Sequence, residues 1–459
     1  MSGRGRGWLA VLLAGLAVVG GVAAQRSGPA PSSSSTSGAA VSSSWLCPHG
    51  GGAGWQGDVV IANPGTSEVD ARLTSLGGDR PRLVGEVTVP SGAEVVHEVP
   101  AEVRGAATAV EVFGGWAGVG WVTHAGGNDA GLGAEPCTEH AGAAWAVVDG
   151  VTNRQTRSYL VVMNPFAADA VVDVVLYLPD HPPVRDTAWT DLRIRAGSST
   201  ALDLRRALGE SIVGATVTAT RGRIAVSSLA VGVHGGVRSA MAQPAFASRW
   251  IAPVAGGSGA GTVSLIVPGD LGVRFGAVQL SSDTAQQPAG NLTVVRQGGA
   301  SALSAPLQTA GPSAVVVQLL SDAQAAMGLR ETGLGRDDAA TSGTATPAPA
   351  WLALPAALGT TARSGIVLAN DGEAPIQATL QQLPAEGGEA AAPVTITIQP
   401  GRTATPPRSW LDTDPTAAVF VTADGDLVVS SAGTIGKDQT NGYAMGLGVP
   451  APPAVSQAP

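Results

Sequence analysis

The sequence predicts an all-β protein: tandem immunoglobulin-like antiparallel β-sandwich repeats behind an N-terminal apolar helix. Three observations predict it. Tryptophans recur about every hundred residues, the segments between them alternate apolar and polar side chains with period two, and no interior segment carries a convincing helical period. Of the 459 residues, 44% are hydrophobic and 13% charged, which excludes a disordered polyelectrolyte and a coiled coil. The net charge is −9, and Lys437 is the one lysine among 26 basic residues. Such a chain is not built to bind nucleic acid by neutralising phosphates.

At the N-terminus, Arg4 and Arg6 precede Trp8–Ala24, 17 residues without charge or polar side chain. A basic flank before an apolar run is the layout of an export signal, and Val22-Ala23-Ala24 supplies small residues for cleavage. The run is long for a signal core and short for a spanning helix, so residues 1–24 read as either a cleaved signal or a membrane anchor. Both place the rest of the chain outside the cytoplasm. Residues 25–44 are rich in serine and proline with little to bury, which predicts a flexible stalk.

Trp45, Trp145, Trp250 and Trp351 each open a segment, at spacings of 100, 105 and 101. Asn63, Asn164, Val267 and Asn370 then close an apolar strand, at spacings of 101, 103 and 103. Two markers with one period predict four tandem units. Within a unit, runs such as Val171–Leu178 and Val394–Ile398 alternate in period two, and turns such as Pro90-Ser-Gly92 and Ala196-Gly197 end them. Six or seven short strands per unit fit a sandwich. A four-bladed propeller uses about 40–50 residues per blade, so the period argues against one. The units read as 45–140, 141–246, 247–330 and 351–450, with a tail at 451–459. Unit three is irregular. Its two closing strands are not evident, and Glu331–Ala350, rich in Gly, Thr and Pro, reads as a linker.

The run of apolar strand, Ala-Asn-Pro, a few polar residues and an alternating strand is clearest at Val60–Leu73 and again, without the proline, at Gly365–Ala378. Together with the signal, the serine-rich stalk and the Trp-x-Cys opening, it resembles an uncharacterised family of exported actinobacterial proteins, known only as a domain of unknown function. The resemblance covers Trp45 to about Pro450. It implies fold and location and carries no catalytic residue across. Genes of that family neighbour glycosyltransferase and sugar-nucleotide genes, so the resemblance also implies a link to envelope polysaccharide.

Candidate chemistry is sparse. Cys47 and Cys137 bracket unit one, and an exported chain with two cysteines pairs them as a disulfide. The alternatives are free thiols and a Cys₂His₂ zinc site with His49 and His140, which the local spacings permit. No G-x-S-x-G nucleophile elbow and no phosphate loop occurs. Asp337-Asp338 and Asp424-Gly-Asp426 read as solvated turns. His97, His124, His181 and His234 lack an orienting partner in sequence. The four recurring tryptophans read as core anchors. Trp55, Trp116, Trp121, Trp189 and Trp410 do not recur throughout and are the candidates for stacking on carbohydrate.

These readings point to a non-enzymatic protein of the cell envelope, acting outside the cytoplasm as spacer, scaffold or protein-binding module. It needs no cofactor, and its expected partner is an envelope protein or polysaccharide. Membrane contact is expected only through the N-terminal segment. The alternative is a carbohydrate-binding or polysaccharide-assembly accessory protein.

Overall fold

The computed structural model describes residues 41–148, 155–178, 182–204, 214–254, 260–268, 274–282, 287–288, 293–294, 302–308, 311–320, 322–333, 337–385, 388–436 and 442–456. The apolar run Trp8–Ala24 and stalk residues 25–40 lie outside them. Among the described residues no helix is long and apolar enough to cross a membrane. The fold is almost wholly antiparallel β-sheet.

Unit one consists of β1 (Val41–Cys47), β2 (Gln56–Asn63), β3 (Val69–Ser75), β4 (Arg82–Val89), β5 (Ala93–Val99), β6 (Thr108–Phe113), β7 (Gly118–Ala125) and β8 (Gly131–Pro136). They form two sheets, β1-β6-β3-β4 and β5-β2-β7-β8. Residues 41–44, expected in the stalk, belong to β1, which pairs with β6. Unit two has β9 (Ala144–Val148), β10 (Thr156–Asn164), β11 (Ala170–Tyr177), β12 (Val184–Arg185), β13 (Leu192–Ile194), β14 (Ser198–Asp203), β15 (Gly214–Arg221), β16 (Ala225–Gly232) and β17 (Val237–Met241). Its sheets are β12-β11-β15-β9, with β13 also on β11, and β14-β10-β16-β17.

The same order recurs in unit three, where the sequence suggested a gap. The strands are β18 (Arg249–Val254), β19 (Ala260–Ile266), β20 (Arg274–Ser281), β21 (Gln287–Pro288), β22 (Thr293–Val294), β23 (Ala302–Gln308), β24 (Ser313–Leu319), β25 (Ala326–Thr332) and β26 (Asp338–Ser342). They give β18-β24-β20-β21, with β22 on β20, and β23-β19-β25-β26. The two closing strands are therefore present. Residues 331–350, read from composition as a linker, hold the end of β25, all of β26 and the start of the next unit. β26 escaped notice because it is buried on both faces by small residues: adjacent Ala339 and Ala340 are both buried, yet they give a weak apolar signal.

Unit four has β27 (Ala348–Ala353), β28 (Arg363–Asn370), β29 (Ile376–Leu383), β30 (Val394–Ile398), β31 (Arg402–Ala404), β32 (Ala418–Ile435), β33 (Gly442–Leu447) and β34 (Val449–Pro450). Here the two expected strands Ala417–Thr422 and Leu427–Ser431 are one 18-residue strand, β32. Its first part pairs with β27 and β29, its second with β28 and β33, so it joins the two sheets. The acidic pair between them does not make a hairpin: Asp424 accepts the Gln377 backbone N–H at 2.8 Å.

The units close on one another through β8, β17, β26 and β33. β8 packs against β17, β17 against β26, β26 against β33, and β33 back against β8. Small residues allow this approach, among them Ala134, Ala240, Ala339 and Ala444, all buried. A Cβ added at Gly131 would lie 2.5 Å from the Val237 backbone nitrogen, so this crossing requires glycine. The circuit also closes at the rim. Glu94 of β5 donates its backbone N–H to Pro384 at 3.0 Å and accepts that of Ala418 at 2.8 Å. Cores follow the same plan: one continuous apolar cluster runs from Trp45 through Trp145 to Leu352 and Phe420. Units one, two and four thus share their buried surface, which supplies the main favourable term in folding.

Candidate functional site

The recurring residues turn out to be structural. Trp45, Trp145, Trp250 and Trp351 are all buried. In three units the indole N–H donates to a backbone carbonyl: Trp145 to Ile224, just before β16, at 2.7 Å; Trp250 to Ala325, just before β25, at 2.8 Å; and Trp351 to Leu427, within β32, at 2.8 Å. Trp45 instead reaches Ser43 Oγ at 3.2 Å and meets Trp116 edge-on at 6.2 Å. A buried indole needs such a partner, so the tryptophan fixes one sheet against the other.

The asparagines act as staples. Asn164 Nδ2 donates to Ala168 at 2.9 Å and to Ile194 and Arg195 at 3.1 Å, while its Oδ1 accepts the Phe166 N–H at 3.1 Å. Asn63 and Asn370 repeat the pattern with Ser67 and Ala374, with Val89 and Ile398, and with Gly65 and Gly372. One amide satisfies a turn and the end of a facing strand, using both its donors and its acceptor. In unit three Val267, equally buried, fills the place.

Cys47 and Cys137 form a disulfide, with Cα atoms 4.6 Å apart. Both thiolates that a Cys₂His₂ site would need are thereby used. Nearby, buried His49 contacts the Gly50 carbonyl at 2.8 Å and Thr108 Oγ1 at 3.1 Å, and burial lowers its pKa to about 4. It is neutral at pH 7. His140 lies exposed beyond the disulfide, and His181 is outside the described residues.

Stacking on a sugar needs an exposed ring face. Trp55, Trp121, Trp189 and Trp410 are buried, and Trp116 is half-buried. Trp55 donates to Asp129 at 3.3 Å and Trp410 to the Ala392 carbonyl at 2.8 Å. Among the described residues, the large apolar side chains that do reach solvent include Phe166 and, on unit one, Leu83 and Val103. Phe166 borders a groove of about 540 Å³ that takes in Trp45, His140 and Arg223.

Titratable groups gather in two places; the first takes in Asp337-Asp338, read from sequence as a solvated turn, but Asp337 is buried and Asp338 begins β26. The first is the circuit of closing strands. Glu135 of β8 is buried, and burial raises its carboxyl well above the ordinary range. Thr341 and the backbones of Leu447 and Met241 pull the other way, yet neither oxygen has a partner at hydrogen-bonding geometry among the described residues. Those three neighbours belong to units three, four and two, so Glu135 sits where all four units meet. Near it Tyr443 donates to buried Glu331, and Arg238 faces Asp338 at 3.6 Å. Asp337 is pushed up to about 7, chiefly by burial. Burial thus favours the protonated Glu135 carboxyl, which strands of all four units surround.

The second is a cleft of about 400 Å³ between units one and two. Arg104 Nη2 and Arg157 Nη2 bind the two oxygens of Asp129 at 2.7 and 2.9 Å. Arg104 also lies over the rings of Trp55, at 4.9 Å, and Tyr159, at 5.6 Å, a cation–π stack that orients it. Partial burial works against the Asp129 charge, but the hydrogen bond and charge of Arg104, then the charge of Arg157, hold its carboxyl below the usual value. The available signal was the glycine clusters at Gly50–Gly54 and Gly126-Gly127. They bring separate loops together without side chains between them.

No curated protein matches the chain. Residues 94–407, from β5 of unit one to just past β31 of unit four, match a family of unknown function (DUF5719). That match spans well over half the sequence, and the chain belongs to this family.

Proposed function

We propose that the chain is a non-enzymatic protein of the cell envelope, working outside the cytoplasm as a scaffold or protein-binding module. We further read its units as immunoglobulin-like sandwiches carried on an N-terminal apolar helix and stalk. The observation that carries the reading is the use made of the repeated polar residues. Tryptophan and asparagine side chains at matching places satisfy backbone groups, and β8, β17, β26 and β33 pack in a closed circuit. Repetition here maintains the frame, and such a frame can present a binding surface. The Cys47–Cys137 disulfide supports an oxidising compartment.

Two experiments test it. A reporter fused after Ser44 is active only outside the cytoplasm; cytoplasmic activity sinks the location. Cross-linking in intact cells followed by affinity capture then recovers a defined envelope protein in stoichiometric yield. Recovery of polysaccharide alone favours the carbohydrate-accessory reading instead.

A further inference from the structure

We infer that the cleft between units one and two is a binding site for a small oxyanion, the phosphate or carboxylate group of a larger ligand or of a free salt. The inference stands independently of the scaffold reading. Its basis is charge and space in one place. Two guanidinium groups face a single carboxylate, so the cleft keeps a net positive charge in a chain whose formal charge is −9. Both arginines remain partly open, with 26% and 31% of the side chain accessible.

Asp129 does not exhaust them. Arg104 uses Nη2 on Asp129 and Nη1 on the Gly51 carbonyl at 3.0 Å, and its stacking on two rings holds the fork in place. Arg157 uses Nη2 on Asp129, while its Nε is buried and has no partner among the described residues. Arg157 Nη1, by contrast, makes no hydrogen bond among the described residues, and it offers an oxyanion a donor in the planar guanidinium geometry that suits carboxylate and phosphate alike.

The walls leave room for the ligand. Gly54 and Gly127 both have positive φ, +76° and +63°, and a Cβ built on either meets no atom within 4 Å. Their loops still approach closely, for a Cβ at Gly126 would fall 2.8 Å from the Gly54 carbonyl oxygen. Two tight turns therefore meet at one edge and open over the arginines at the other. Asp129 acts as the resident anion that keeps the pair together when the cleft holds no ligand.

The test is isothermal titration calorimetry of the exported chain at low ionic strength. One arm uses inorganic phosphate, a second sodium glucuronate, and a third sodium chloride at matched ionic strength. The inference predicts saturable heat with phosphate, glucuronate or both, at a Kd of about 1 mM or tighter, and none with chloride. Which of the two binds assigns the oxyanion. Arg157→Gln weakens binding about tenfold or more, and Arg223→Gln, in the separate groove, leaves it unchanged. Asp129→Asn, which removes the competing carboxylate, tightens binding severalfold. Because that variant moves affinity upward, the test survives if Arg157→Gln fails to fold. Absence of saturable heat with both anions in the folded wild-type chain overturns the inference, as does equal affinity in folded Arg157→Gln.

Discussion

At the residue scale, the asparagine staple gathers several buried hydrogen bonds on one side chain. Replacing Asn164 by alanine removes four hydrogen bonds and leaves buried carbonyls unpaired near Ile194. The expected loss is about 2–4 kcal/mol in chemical denaturation, against little change for an exposed residue such as Glu86. Glu94 makes a second prediction. Burial is the main cause that lifts its pKa from 4.5 to about 8, the Ala418 N–H opposes this, and the charge of Asp414 adds to it. The folded state therefore holds its proton more tightly than the unfolded state. That contribution is complete below pH about 4.5 and fades as pH rises through about 8. Asp58, raised to about 6, and Asp337, raised to about 7, act with the same sign. Thermal unfolding followed from pH 5 to 9 should show falling stability, and Glu94→Gln should flatten the slope. An unchanged slope in that variant removes Glu94 from the account.

At the scale of elements, the disulfide ties the end of β1 to the residue after β8. It closes a loop of 90 residues, worth about 4–5 kcal/mol in the chain-entropy model, and often less in practice. Non-reducing mass spectrometry should recover the joined Cys47 and Cys137 peptides, and the paired serine variant should lose stability toward that amount. β26 offers a sharper contrast with composition. Limited proteolysis should spare Asp338–Ser342, and Ala340→Asp should destabilise the fold by about 2 kcal/mol or more, because it buries a charge. A first cut within those five residues would restore the linker. The strands of units one and two were legible because valine and leucine alternate along them. Those of unit three were obscured where alanine, glycine and threonine do the same work with a fainter pattern. Asp424-Gly-Asp426 misled for a local reason. Its carboxylate binds the neighbouring strand, so the chain runs straight through what looks like a turn.

At the scale of the whole molecule, the period of about one hundred residues marked out four segments but not how their strands sit together. The circuit depends on close packing of β8, β17, β26 and β33, whose small residues look unremarkable in sequence. The same is true of the cleft. Arg104, Asp129 and Arg157 are scattered over more than fifty residues, and only the seam between units brings them together. Period alone suits a rod as well as a ring, because tandem sandwiches commonly join end to end. Solution X-ray scattering from the folded body separates the two directly. A closed circuit of residues 41–459 predicts a radius of gyration near the compact value, about 22–25 Å. A value of about 40 Å, as expected for four roughly 100-residue bodies in line, would contradict the closed circuit.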